Sequence, residues 1–144
     1  MPARPRPATH TNTSFKWPAR VYWEDTDGGG VVYHANYIKF FERARTEWLR
    51  AKGFEQRPLL AQQVVFAVYA MQVKFLKPAR LDDALEVSVS LIACRRASFS
   101  VSQRIVDARS GDELCTAEVE IACLDHASFR PMPMPPDLLR EIQR

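Results

Sequence analysis

Between Val31 and Gly53 the chain reads VVYHANYIKFFERARTEWLRAKG. Tyr37, Phe41, Ala44 and Trp48 recur at three- and four-residue spacing, with Phe40 and Leu49 on the flanks, while Lys39, Arg43 and Arg50 take the wetter side. This is the pattern of one long amphipathic helix. Asn36 is the candidate N-cap, Arg50 and Lys52 suit the negative end of the helix dipole, and Gly53 can supply the left-handed residue that stops the helix. Glu42 and Glu47 are explained by pairing with Arg45 or Arg43 about one turn away.

Ahead of this helix, RVYWE from Arg20 is rich in β-formers and predicts a strand, and DTDGGG from Asp25 to Gly30 predicts a tight, open loop. After the helix and a short linker, VVFAVYAMQVKF begins apolar on both faces, then alternates through Met71, Val73 and Phe75 until Pro78 ends it. Leu85 to Leu91 alternates throughout, as do Phe99, Val101 and Ile105, and then Ala117, Val119, Ile121 and Cys123. Each is a half-buried antiparallel strand, and the short connections between them suit hairpins. The order is β-α-β-β-β-β. One apolar helix face and one apolar sheet face must cover each other, so the fold class is α+β, a five-stranded antiparallel sheet wrapped around one long central helix. Such a sheet has a free edge that invites dimerisation.

A chain of 144 residues, 47% of them hydrophobic, fits one domain with one core. Residues 1–14 are rich in Pro, Thr and Arg with little to bury, and predict a disordered or loosely attached tail. The folded domain runs over 15–130, and the Pro-rich segment 131–144 ends in a short helix that packs on the domain or lies on its surface. Neither end is a second domain.

The formal charge of +3 is local in origin: Arg4, Arg6, Lys16 and Arg20 precede the first acid, Glu24, and the remainder carries 16 basic against 17 acidic residues. A nucleic-acid partner would call for a basic stripe on the folded part, and none is present in the sequence. Cys94, Cys115 and Cys123 are odd in number and lack CxxC spacing, which argues against a disulfide framework and against a zinc site. No apolar run is long enough to span a bilayer and the N-terminus lacks the apolar core of a signal peptide, so a cytoplasmic location is expected.

The densest polar cluster is EDTDGGGVVYHANY, where Asp25, Asp27, His34 and Asn36 fall between a strand end and a helix start. Aspartates beside glycines are most often turn residues. A histidine seven residues past Asp27, at a helix N-terminus, also offers an acid-base pair. The loop is not a calcium site, because Asn36 stands where the bidentate Glu would be needed, and GGG without a following Lys and Ser or Thr is not a P-loop. No GxSxG elbow exists, and the cysteines have no histidine nearby in sequence. His10 lies in the tail and His126 in a turn-like DHAS context, both solvated settings.

The segment RVYWEDTDGGGVVYHANYIKFFERARTEWLR closely resembles the YbgC-type branch of the 4-hydroxybenzoyl-CoA thioesterase family, and the likeness continues through VVFAVYAMQVKFLKPARLDDALEV, SQRIVDA and AEVEIACLD. The resemblance implies a hotdog fold, a homodimer or homotetramer, and hydrolysis of acyl-CoA thioesters with no metal and no redox cofactor. It places catalysis on Asp27, adds His34 as a second catalytic residue, and leaves Asp25 a supporting one. Gly28 departs from the family, where Ala is common, and predicts a looser loop.

The family chemistry needs a nucleophile and a place for negative charge on the thioester carbonyl, and backbone amides at a helix start supply the second. Asp27 serves as general base or as nucleophile; the sequence does not separate these. Lys74, Lys77, Arg80, Arg95 and Arg96 suit CoA phosphates and suit solvated sheet edges equally well. Two competing readings remain open: a thioesterase acting on acyl-carrier protein, and a non-catalytic acyl-binding or scaffold dimer at the cell envelope, since the resemblance extends to genes neighbouring the Tol-Pal system. A hotdog dehydratase is disfavoured because no His follows His34 on the helix.

Overall fold

The computed structural model describes residues 14–144. The expected N-terminal tail, 1–14, lies outside them apart from Ser14. The strands are β1 (Phe15–Arg20), β2 (Val64–Phe75), β3 (Ala84–Cys94), β4 (Ser98–Asp107) and β5 (Glu113–Asp125), and the helices are α1 (His34–Ala51), α2 (Gln56–Ala61) and α3 (Pro136–Gln143). The strands form one antiparallel sheet in the order β1-β3-β4-β5-β2. Register shifts in β2 at Tyr69, in β3 at Ile92 and in β5 opposite Ile105 and Val106 are bulges. Bulges bend and twist strands, which lets the sheet curl around α1.

The helix buries the face that its spacing predicted: Tyr37, Phe40, Phe41, Ala44, Trp48 and Leu49. They meet the alternate residues Leu85, Val87 and Val89 of β3, Phe99, Val101 and Ile105 of β4, and Val119 and Ile121 of β5 in one core. Gly53, at φ +95°, ends the helix. Its amide donates to the Arg50 carbonyl, and the Phe54 amide reaches back to Leu49, the paired bonds of a Schellman stop.

Four local expectations are corrected. The strand expected from Arg20 instead ends there, because Val21 turns fully into the core and Trp23–Asp25 tighten into a 3₁₀ turn. Asn36 is not the N-cap; Tyr33 is, and Asn36 sits inside the first turn with its side chain donating to the Asp25 carbonyl at 2.9 Å. Glu47 pairs with Arg50 at 2.6 Å rather than with Arg43, and Glu42 accepts from Thr46 at 2.8 Å rather than closing an ion pair with Arg45. The linker after α1 contains α2, whose Pro58 is tolerated because it falls in the first turn, where helix amides lack partners anyway.

Arg45 is turned inward. Its Nη1 donates to Gln103 Oε1 at 3.0 Å, and Gln103 Nε2 donates to the carbonyls of Phe41 at 3.1 Å and Ser88 at 3.4 Å. Gln103 is the one fully buried polar side chain among the described residues and stands at an inward position of β4. Burial lowers the Arg45 pKa, with the nearby Glu42 opposing the shift.

The C-terminal segment is packed onto the domain rather than lying free on its surface. Leu138 and Ile142 of α3 are buried, and the helix lies on β3. Lys52 Nζ donates to the Glu141 carbonyl at 2.9 Å, and the Met134 amide to Arg96 at 2.8 Å.

Candidate active site

The segment between the 3₁₀ turn and α1 doubles back on itself. The Asp27 amide donates to Val31 at 2.9 Å, Gly30 adopts φ +80° within the turn, and Thr26 and Val32 pair antiparallel. Gly30 is therefore the glycine the turn requires, since a residue with a Cβ is strained at that φ. Val32 then buries and donates to the Ala79 carbonyl at 2.9 Å, which pins the returning strand to the body just before α1 begins.

Asp25 is the clamp of this loop. Its Oδ2 accepts from the Tyr22 amide at 2.8 Å, and its carbonyl accepts from the Tyr33 amide at 3.0 Å and from Asn36 Nδ2. The chain before Asp27 is thereby tied to the first turn of the helix. Tyr37, one turn into α1, completes the support, because its hydroxyl accepts from the Ala79 amide at 3.0 Å. Burial raises the Tyr37 pKa, partly offset by that bond, so the hydroxyl stays protonated at neutral pH. Sequence reasoning found the cluster but missed Ala79 and Tyr37, whose link spans 42 residues.

Asp27 itself is exposed. One carboxylate oxygen, Oδ1, accepts from the Gly29 amide at 2.7 Å, the bond of an Asx turn. The other oxygen has no protein partner among the described residues and faces solvent. The turn-residue and acid-base readings of this aspartate thus apply together: one oxygen holds the loop, the other is open for chemistry.

His34 is the first residue of α1 and is exposed, with its ring 4.6 Å from that of Tyr33 and 6.2 Å, edge-on, from Phe75 at the end of β2. Among the described residues no hydrogen bond joins His34 to Asp27. The amides of His34 and Ala35 donate to no protein acceptor there, while that of Asn36 already donates to Tyr33. A helix start with free amides favours an anionic oxygen. His126 lies in an exposed turn after β5, and His10 falls outside the described residues.

Gly28 needs no special conformation: it has no positive φ, and an added Cβ would meet nothing within 4 Å. Gly28→Ala is expected to raise stability by about 0.4–1 kcal/mol by restricting the unfolded chain. Thermal unfolding and thiol-release assays check this; a lower Tm would mean that the loop uses the freedom of Gly28.

The cysteines offer no alternative nucleophile. Burial pushes Cys115 up to about 12 and Cys123 up to about 11, and raises Cys94 as well, so all three are held as thiols at neutral pH. Among the described residues there is no group of three or more His, Cys, Asp or Glu side chains placed to hold a metal ion, and no helix long and apolar enough to cross a membrane.

Comparison with known proteins places this geometry in a family. The family model described as the thioesterase-like superfamily matches residues 21–142. The Acyl-CoA thioester hydrolase YbgC of Escherichia coli O6:H1 is 46% identical over 132 residues, covering 92% of this chain and 98% of that protein. The Acyl-CoA thioesterase YbgC of Haemophilus influenzae is 41% identical, covering 88% and 93%. Among solved structures, a probable thioesterase from Bartonella henselae superposes with a TM-score of 0.78 at 38% identity, covering 85% of this chain and 99% of that one. The curled five-stranded sheet around one helix, the family model and these relatives agree: the chain belongs to the thioesterase-like superfamily of hotdog proteins, on its YbgC branch.

Proposed function

We propose that this protein hydrolyses acyl-CoA thioesters to the free acid and CoA, with Asp27 as the catalytic carboxylate and His34 beside it. The observation that carries the reading is the division of labour at Asp27, one oxygen bound to the Gly29 amide and the other open, in a loop clamped through Asp25 to the start of α1. The same activity is named for the Escherichia coli and Haemophilus influenzae relatives.

In the general-base route the open Asp27 oxygen takes a proton from water as that water adds to the thioester carbonyl. The carbonyl oxygen becomes an oxyanion, for which the free amides of His34 and Ala35 are the donors. Collapse re-forms the carbonyl and breaks the C–S bond, and CoA leaves as a thiolate. In the nucleophilic route Asp27 adds to the carbonyl itself, and water later hydrolyses the mixed anhydride. Both routes use the same open oxygen.

His34, packed between Tyr33 and Phe75, is better placed to orient water or substrate than to relay a proton, and CoA thiolate departs without protonation. His34→Ala is expected to lower kcat/KM about tenfold to a hundredfold by loosening that orientation. His34→Gln, which keeps a side-chain donor, should recover part of the loss, and an unchanged rate in both variants would remove His34 from the site.

The outer edge of β2 is unpaired in the protomer and carries Val68, Tyr69 and Phe75 exposed, which supports assembly into a homodimer or homotetramer. The deciding assay is thiol release from a panel of acetyl, medium-chain, long-chain and aromatic CoA thioesters. Turnover of some members supports the reading. Inactivity on all of them would overturn it and turn attention to carrier-protein thioesters or a binding role.

A further inference from the structure

Two cavities lie along the same side of the domain, and one side chain stands between them. The first, about 210 Å³, is bounded by Trp48 of α1, Phe66 of β2, Phe99 of β4 and Ile121 of β5, with the inward-turned Arg45 on its wall. The second, about 320 Å³, lies between α2 and the start of β2, among Leu59, Leu60 and Val64. Phe66 and Gln56 line both. The Phe66 ring is held edge-on to Phe99 at 5.6 Å, and Phe99 in turn meets Trp48 at 5.7 Å, so the partition is braced from the core side.

These cavities continue from the candidate active site. Phe75, at the far end of β2, lies 6.2 Å from the His34 ring and 5.6 Å from Tyr37, while Phe66, near the start of β2, stacks toward Trp48 at the other end of α1 through Phe99. Helix and strand therefore run past each other in opposite directions. Between the two ends the half-buried Met71 and Val73 pack against the core. The backbone of α1 lies over β1, β3 and β4, which leaves the seam along β2 comparatively open. An apolar seam leading from a thioester-cleaving loop into an aromatic-walled cavity suits an acyl chain.

We propose that Phe66 is the specificity-determining residue for acyl length: the unbranched acyl group of the substrate enters the cavity walled by Trp48, Phe99 and Ile121, and the Phe66 ring stops it short of the cavity beneath α2. This rests on the thioesterase reading above. The two cavities hold comparable space, so opening the partition more than doubles the room for hydrocarbon. Each further methylene buried contributes about fourfold in binding.

The test is the chain-length profile of kcat/KM, from butyryl- to palmitoyl-CoA, for wild type, Phe66→Ala and the milder Phe66→Leu. The expected result is a preference moved to longer chains in both variants, with the ratio of longest to shortest substrate raised at least tenfold in Phe66→Ala. Leu60→Trp added to Phe66→Ala should refill the cavity under α2 and restore the shorter preference. Leu60 is 43% exposed, so the larger ring has room to settle. An active variant with an unchanged profile overturns the proposal and leaves the thioesterase reading standing. If wild type hydrolyses no CoA thioester, that reading falls. Calorimetric binding of S-alkyl-CoA thioethers, from butyl to hexadecyl, then tests Phe66 alone: affinity that extends to longer alkyl groups in Phe66→Ala supports the partition, and an identical length dependence overturns it. The thioethers also serve if Phe66→Ala folds poorly, through Phe66→Leu.

Discussion

Asp27→Asn is expected to lower kcat/KM for acyl-CoA thioesters by at least about a hundredfold while leaving the fold intact, because general-base catalysis contributes about 10² to 10⁴ in rate. The substitution is unusually clean at this site. An Asn side-chain oxygen can still accept from the Gly29 amide, so the Asx turn and the loop it holds are preserved. What disappears is the basicity of the open oxygen, and with it both the general-base and the nucleophilic routes. The loss should fall in kcat, since Asp27 acts on the reacting carbonyl or water rather than on the CoA body. Near-wild-type turnover in a folded Asp27→Asn protein would remove this residue from the chemistry and leave the loop a structural turn.

The second large effect is on stability. Gln103→Leu should cost about 3 kcal/mol, because it orphans a buried guanidinium and removes donors from the Phe41 and Ser88 carbonyls in one step. At roughly 3–5 °C per kcal/mol for a domain of this size, Tm should fall by about 10 °C. The double variant Gln103→Leu with Arg45→Met removes both partners, and should recover much of the loss, since an apolar pair of similar volume leaves no unpaired charge. Additive losses in the double variant would mean that Arg45 and Gln103 contribute through packing and not through their bond.

Much of this was legible in the sequence because it was local. Tyr37, Phe41, Ala44 and Trp48 announce the buried face of α1, and Gly53 its end. The strict alternation of β3, β4 and β5 gives their inward faces directly. Asp27 and His34 share one loop and could be nominated together from their spacing. The features that escaped are those fixed by distant partners. Asn36 looks like a cap until the Asp25 carbonyl comes within reach of its side chain. Arg45 looks like a surface charge until Gln103 meets it from β4. The six residues of α2 are too few to show a helical period, and Pro58 within them reads as a break. RVYWE has strand composition, but Val21 is captured by the core and the chain turns there.

The strand order carries a consequence for how the protein comes to life on the ribosome. β1 pairs with β3 and β2 with β5, whereas β3, β4 and β5 are consecutive neighbours joined by short turns. The C-terminal meander can therefore zip up locally, while both flanking strands and the helix between them must wait for partners encoded downstream. The Asp27 loop is synthesised early yet is anchored through Ala79 and through a helix whose bed is β3 and β4. Nascent chains that stop before Asp125 expose the apolar face of α1 and the unpaired β2 together, so translation arrest within β5 should yield aggregation-prone products rather than partially active ones.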